Sequence, residues 1–186
     1  MSRQRLLTLL EMAMMAAIAL IFSEIKLFQM PQGGSVSLVM VPIALIAVRR
    51  GIMAGIVTGA VVGLLQLFFG GYVVHPVQLL LDYPLAFAAL GLSGVIAISR
   101  FENRASRVRA IWGSLLIGVL GRFVCHFASG VIWFGEFAPE GTPVAVYSFL
   151  YNITYLIPEM IITGVVLTMV LASAPQLLLL KNRRLA

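Results

Sequence analysis

Residues 110–134, AIWGSLLIGVLGRFVCHFASGVIWF, decide the fold. A helix needs about 20 apolar residues to cross a hydrocarbon core of ~30 Å, and this run is long enough. Only Arg122 and His126 within it are ionisable side chains of the Asp, Glu, Lys, Arg and His kind. Further apolar runs lie on either side, at 6–28, about 76–99 and about 143–173. Two shorter ones, 36–48 with Pro42 inside and about 51–69, meet at Arg49-Arg50-Gly51. The segments MPQGGS (30–35), GGYVVHP (70–76) and GEFAPEGTP (135–143) are loops, and 100–109 is polar. The pattern predicts an all-α membrane protein: a bundle of six transmembrane helices forming a single domain over residues 1–186.

Composition agrees. The chain is 61% hydrophobic and 11% charged, where an average soluble domain is about half apolar and about a quarter charged. The net charge of +6 is not spread as a nucleic-acid-binding stripe. Eleven of the thirteen basic residues fall in four clusters between the spans: Arg3 and Arg5; Arg49 and Arg50; Arg100, Arg104, Arg107 and Arg109; Lys181, Arg183 and Arg184. With six spans all four clusters face one side, and the positive-inside rule places that side, with both termini, in the cytoplasm. The first span is too long for a cleavable signal and lacks a small-residue cleavage site, so it is expected to stay in the membrane. Cys125 is the only cysteine, which leaves no internal disulfide and no CxxC metal pair. A Walker A loop, HExxH and GxSxG are absent. Adjacent Cys125 and His126 diverge by about 100° on a helix, poor geometry for a nucleophile and its base.

Two faces carry small residues. Gly51, Gly55, Gly59 and Gly63 repeat every four residues, the signature of close helix packing in lipid. Ala13 and Ala17, with Ala16 beside them, form a second such face, open to a helix of this chain or of another protein.

Ionisable residues inside a membrane are costly and mark functional sites. Three polar stripes stand out. His75, Gln78 and Asp82 share one helical face and are expected to point inward, with Tyr83 and Pro84 following. Arg122, His126, Ser129 and Trp133 form a second stripe, with Gly130 beside it. Tyr147, Tyr151, Tyr155 and Asn152 open the last span, and Glu159 follows Pro158. An ion pair such as Asp82 with Arg122, tying helices together, would explain one acid and one base. It does not explain the aromatics, which suit a planar, cationic ring. The stripes therefore predict an outward-open pocket for a small, flat, amphipathic molecule, with no inverted repeat to suggest a complete alternating-access machine.

The segments MPQGGSVSLVMVPI (30–43), RRGIMAGIVTG (49–59), HPVQLLLDYPLAF (75–87) and GTPVAVYSFLYNITY (141–155) closely resemble the thiamine-specific substrate-binding subunits of energy-coupling factor transporters of Gram-positive bacteria. The resemblance spans nearly the whole chain. It implies a multi-pass protein of the bacterial cell membrane that captures thiamine near the outer surface and needs no cofactor. It also implies association with a transmembrane coupling protein and two cytoplasmic ATPases, with Ala13 and Ala17 touching the coupling protein. The implied ligand residues are Asp82, Tyr83, His126, Gly130, an aromatic platform at Trp133 or Phe134, Tyr147 and Asn152. Arg122, Gln78 and Tyr151 are expected to support them, Arg122 by pairing with Asp82. The loop after the first helix is expected to close over the site. Two departures stand out: some members carry Glu where this chain has Asp82, and some carry Trp in the first outer loop, where this chain reads MPQGGS. Tyr147 and Asn152, five apart, share no face of a regular helix, so Tyr147 belongs at the helix start or the chain is irregular there. The alternative reading is a stand-alone, proton-coupled thiamine or vitamin carrier using Asp82, His126 and Glu159 as a proton path.

Overall fold

A computed structural model describes residues 2–180; the basic cluster Lys181, Arg183 and Arg184 lies outside them. The order is α1 (Arg3–Glu24), β1 (Lys26–Gln29), β2 (Ser35–Ser37), α2 (Met40–Arg50), α3 (Ile52–Gln66), α4 (Pro76–Leu80), α5 (Ala86–Leu90), α6 (Arg104–Trp133) and α7 (Val144–Ser173). A π-helical segment, Leu81–Leu85, joins α4 to α5. Among the described residues five stretches are long and apolar enough to cross a bilayer: Arg3–Glu24, Ile52–Phe69, Pro76–Arg100, Arg104–Trp133 and Val144–Ser173. Large apolar side chains such as Phe68, Met53, Ile21 and Met169 are exposed on the bundle surface, a surface that lipid, not water, solvates.

Three expectations need correction. First, the fold is all-α as expected, but its first helix is shorter than the apolar run. The first apolar run ends as helix at Glu24 and continues into an antiparallel hairpin in which Phe28 pairs with Val36 and Gln29 with Ser35. Second, the second span is not a lipid-facing helix. Helix α2 has 11 residues, about 16 Å of rise, roughly half a hydrocarbon core. Eight of them, Met40 through Ala44 and Ile46 through Val48, are buried. It runs through the middle of the bundle and links the two core clusters, contributing Met40 and Ile43 to one and Ala44 and Val48 to the other. It cannot merge with α3, because Gly51 between them has φ +93°, a left-handed value that ends a helix. Third, the fourth span is not one regular helix. Pro84 lacks an N–H and crowds the carbonyl one turn back, and the backbone widens there into the π segment that holds Asp82.

The glycine period is a packing face, as expected, from Gly55 onward; Gly51 itself faces open space. A Cβ on Gly59 would collide with the carbonyl of Phe87, and one on Gly63 with that of Tyr83. Helix α3 therefore lies directly against the irregular segment and fixes its depth. At the end of the bundle where the chain starts, Glu11 of α1 bridges Arg49 (2.8 Å) and Arg50 (2.6 Å) at the end of α2. Arg49 also donates to the carbonyl of Gln176, beyond α7. The ends of α1, α2 and α7 are thus tied at one pole.

Gly59→Ala is expected to destabilise the protein by about 1–3 kcal/mol through overpacking, while Gly113→Ala, whose Cβ would sit 3.4 Å from Ile96 Cδ1, changes it little. Thermal unfolding in detergent compares the two.

Candidate ligand-binding site

The opposite pole holds a cavity of about 1110 Å³, its mouth included. It is walled by the ends of α1 and α3, the hairpin, the π segment, the last turns of α6 and the first turns of α7. From its mouth it descends to Arg122, eleven residues before the end of α6 and so about 16 Å deep along that helix.

Asp82 is its focus. Its Oδ2 accepts from Gln78 Nε2 and from Ser129 Oγ, each at 2.7 Å. Its Oδ1 lies 3.0 Å from His126 Nδ1. A carboxylate has about four acceptor positions, so three are taken and one remains for a ligand. Gln78 is itself fully engaged. It also donates to the carbonyl of Tyr72 (3.0 Å) and accepts from the backbone N–H of Val74 (3.0 Å), which anchors the loop before α4.

Beneath lies an ion pair. Arg122 donates to Glu159 Oε2 at 2.9 Å, and Glu159 has no exposed surface at all. The guanidinium carbon stands 4.5 Å from the centroid of the Phe87 ring. The other Glu159 oxygen accepts from Ser37 Oγ at 3.0 Å, so the hairpin is tethered to the buried pair. The expected pairing of Arg122 with Asp82 is therefore wrong. Arg122 reaches α7 instead, and His126, one turn above it on α6, fills the space between the two and takes Asp82.

On α7, the Asn152 amide donates to the Ser148 carbonyl (2.8 Å) and accepts from the Tyr155 hydroxyl (2.7 Å). Tyr151 accepts the backbone N–H of Gly34 at 3.3 Å. A Cβ on Gly34 would meet the Tyr155 ring at 2.8 Å, so the hairpin turn rests on the two tyrosines and covers the cavity beside them. Tyr147 occupies the first turn of α7, which resolves its spacing from Asn152: both line the cavity of a regular helix, one from its end.

Most of the expected residues meet here: Asp82, Tyr83, His126, Gly130, Phe134, Tyr147 and Asn152, with Gln78, Arg122 and Tyr151. Trp133 does not. It stacks on His75 at 5.3 Å, away from the cavity, and Phe134 supplies the aromatic wall. His75 does not point inward either. It is the exposed N-cap of α4, its Nδ1 accepting from the N–H of Val77. Gly130 serves helix packing, since a Cβ there would strike the Ser148 hydroxyl. Ala13 and Ala17 lie exposed on α1, remote from the cavity, while Ala16 is buried. Sequence reasoning missed the Ser37–Glu159 tether and the hairpin's Gln29 and Ser35 in the wall. The cost of an unpaired charge in lipid was the signal that joins Glu159 to Arg122. No group of three or more metal-binding side chains occurs among the described residues.

Fold and site together define a multi-pass membrane protein with a polar, aromatic cavity for a small molecule. The chain belongs to the thiamine transporter protein (Thia_YuaJ) family, whose model matches residues 9–179, a family of transporters rather than enzymes. It is 44% identical to thiamine transporter ThiT of Bacillus subtilis (strain 168) over 183 residues, covering 94% of this chain and 95% of that one. It is 33% identical to thiamine transporter ThiT of Lacticaseibacillus paracasei over 193 residues, covering 96% and 94%. A solved structure of ThiT from Listeria monocytogenes matches with a TM-score of 0.88 and 31% identity, covering 95% of this chain and 100% of that one.

Glu159→Ala strands Arg122 as a buried, unpaired charge and is expected to cost about 3–5 kcal/mol. Ser37→Ala removes one hydrogen bond to the pair and is expected to cost about 1–3 kcal/mol. Thermal melts of the two variants should fall in that order.

Proposed function

We propose that this protein binds thiamine in the cavity and serves as the capture subunit of an ATP-driven uptake system. The observation that carries the reading is Asp82, a carboxylate held by three donors with one acceptor position left, inside an aromatic wall. Thiamine is a monocation of two flat rings joined by a methylene, a thiazolium and an aminopyrimidine that donates hydrogen bonds. Its thiazolium ring lies beside His126 and Phe134, where ring faces attract a cation. Its aminopyrimidine reaches the free position on Asp82, while Tyr83, Tyr147 and Asn152 line the remaining wall and Gly130 lets α6 and α7 approach. Gln78, Arg122 and Tyr151 hold the first set in place. Relatives named as thiamine transporters support the choice of ligand.

The whole chain acts as one transmembrane domain of the bacterial cell membrane. Both termini lie in the cytoplasm by the positive-inside rule, since Arg49 and Arg50 sit at the pole opposite the cavity. The cavity then opens outward. Ala13 and Ala17, exposed and four apart on α1, offer a smooth face to a transmembrane coupling protein, and two cytoplasmic ATPases supply the energy. A proton-coupled carrier would need a path from Asp82 through His126 to Glu159. Arg122 stands in it, and a guanidinium does not give up its proton in proteins.

Asp82→Asn is expected to weaken thiamine binding by about 1–3 kcal/mol, read by isothermal titration calorimetry of the purified protein; unchanged affinity removes Asp82 from the site. Proteoliposomes holding this protein alone should accumulate no thiamine, and adding the coupling protein, ATPases and ATP should start uptake. Accumulation by the protein alone, driven by a pH gradient, would establish the carrier instead.

A further inference from the structure

The hydrogen bonds around His126 fix where its proton sits. Its Nε2 lies 3.2 Å from Nε of Arg122. A guanidinium has only donors, so Nε2 must accept and carries no hydrogen. The ring's one proton is then on Nδ1, which donates it to Asp82 Oδ1 at 3.0 Å. Arg122 has little freedom to turn away: Glu159 holds it at 2.9 Å, Phe87 lies under it, and it is 5% exposed.

We propose that Arg122 is a positioning residue that holds His126 as the neutral, Nδ1-protonated imidazole, so that the cavity keeps one uncompensated negative charge, on Asp82, and selects a singly charged cation. The selection rests on the cavity being the ligand site proposed above; the state of His126 does not. The charges add as follows: Glu159 and Arg122 cancel, neutral His126 adds nothing, and Asp82 leaves −1. A second proton on His126 would bring the four groups to zero and remove the attraction for a cation. Arg122 blocks that proton twice, by occupying Nε2 and by placing a like charge beside it. The other titratable group facing the ring is Tyr155 of α7, edge-on at 6.1 Å. Glu159 stands behind Arg122, and Glu24 and Lys26, of opposite sign, line the cavity from the ends of α1 and β1.

The chain has two histidines, and their hydrogen bonds call for opposite neutral forms. His75 Nδ1 accepts from the N–H of Val77 at 3.1 Å, so its ring carries the proton on Nε2. Nitrogen NMR of the full chain in detergent, labelled at histidine, distinguishes the two forms, and His75→Gln identifies the remaining ring as His126. His126 is expected as the Nδ1–H form, unchanged from about pH 8 to about pH 5.5. In Arg122→Met, which leaves no donor at the position of Nε, His126 Nε2 is released and His126 should take a second proton across that range, while Arg122→Lys, which keeps the charge and a donor, should restore the native behaviour. Thiamine affinity of Arg122→Met/Glu159→Gln, in which the charge sum runs from −1 to zero as His126 takes that proton, should fall about tenfold or more over the same range. Affinity for the neutral isostere, in which carbon replaces the thiazolium nitrogen, should not follow it. A native His126 protonated on Nε2 or on both nitrogens overturns the proposal, as does an Arg122→Met protein with the native spectrum and pH profile. If Arg122→Met does not fold, Arg122→Met/Glu159→Gln removes both buried charges and must show the same titration. Native protein with the expected ring but no affinity for thiamine would overturn the choice of ligand and leave the role of Arg122 standing.

Discussion

The pairing of Arg122 with Glu159 is the constraint on which the rest of the bundle turns. In lipid a buried charge must find its opposite, and the cost of failing to do so exceeds most packing terms. Meeting it fixes α6 and α7 in rotation and depth, because two side chains must converge between helices of 30 residues each. Ser37 then ties the hairpin to the same carboxylate, and His126 rests on the same guanidinium. Through His126 the network reaches Asp82 and, through Gln78, the backbone of Tyr72 and Val74. A single connected set of polar groups thus joins both long helices, the hairpin and the irregular segment. Such a set rigidifies a site when every member is satisfied and destabilises it when one is not.

Asp82 enters that set from within a break in helical regularity. It lies one turn after Gln78 and accepts from it, while Tyr83 and Pro84 keep their carbonyl and Cα against Gly63. The smooth face of α3 makes this possible. Side chains there would push the widened backbone away and withdraw the carboxylate from Ser129 and His126. Packing in one layer and charge placement in the next are therefore the same event.

The five long apolar segments were legible because lipid imposes a length and a composition on each. The lining of the cavity was legible in content too: Asp82, His126, Tyr147 and Asn152 were visible as polar or aromatic residues in apolar runs, and they line one cavity. The pairings were not. Periodicity gives the face of a helix but not its rotation against a neighbour, so Arg122 could be matched with Asp82 or Glu159 on equal grounds. The same ignorance left Trp133 and Phe134 equivalent, although one stacks on His75 outside and the other lines the cavity. His75 read as part of an inward stripe because the helical periodicity was carried back past the helix start at Pro76; as an N-cap it lies outside the periodicity altogether. The hairpin escaped notice because four residues after a long apolar run look like its continuation.

The two poles of the bundle are held unequally. The hairpin rests on Tyr151 and Tyr155 through Gly34 and is anchored below by Ser37. Opening it towards the cavity mouth disturbs contacts near the surface. Opening the opposite pole would separate α1 and α2 where Glu11 holds both Arg49 and Arg50, and part the two long helices at their shared ion pair. On the reading proposed above, a ligand that satisfies the last acceptor position of Asp82 completes the network and deepens this asymmetry. Binding then makes inward release harder, not easier, and a ligand can shift a conformational equilibrium only by its differential affinity for the two states. The work of release must therefore come from outside the chain, and the exposed small-residue face of α1, whose inner end carries Glu11, is a surface through which a partner could apply it to the inner pole.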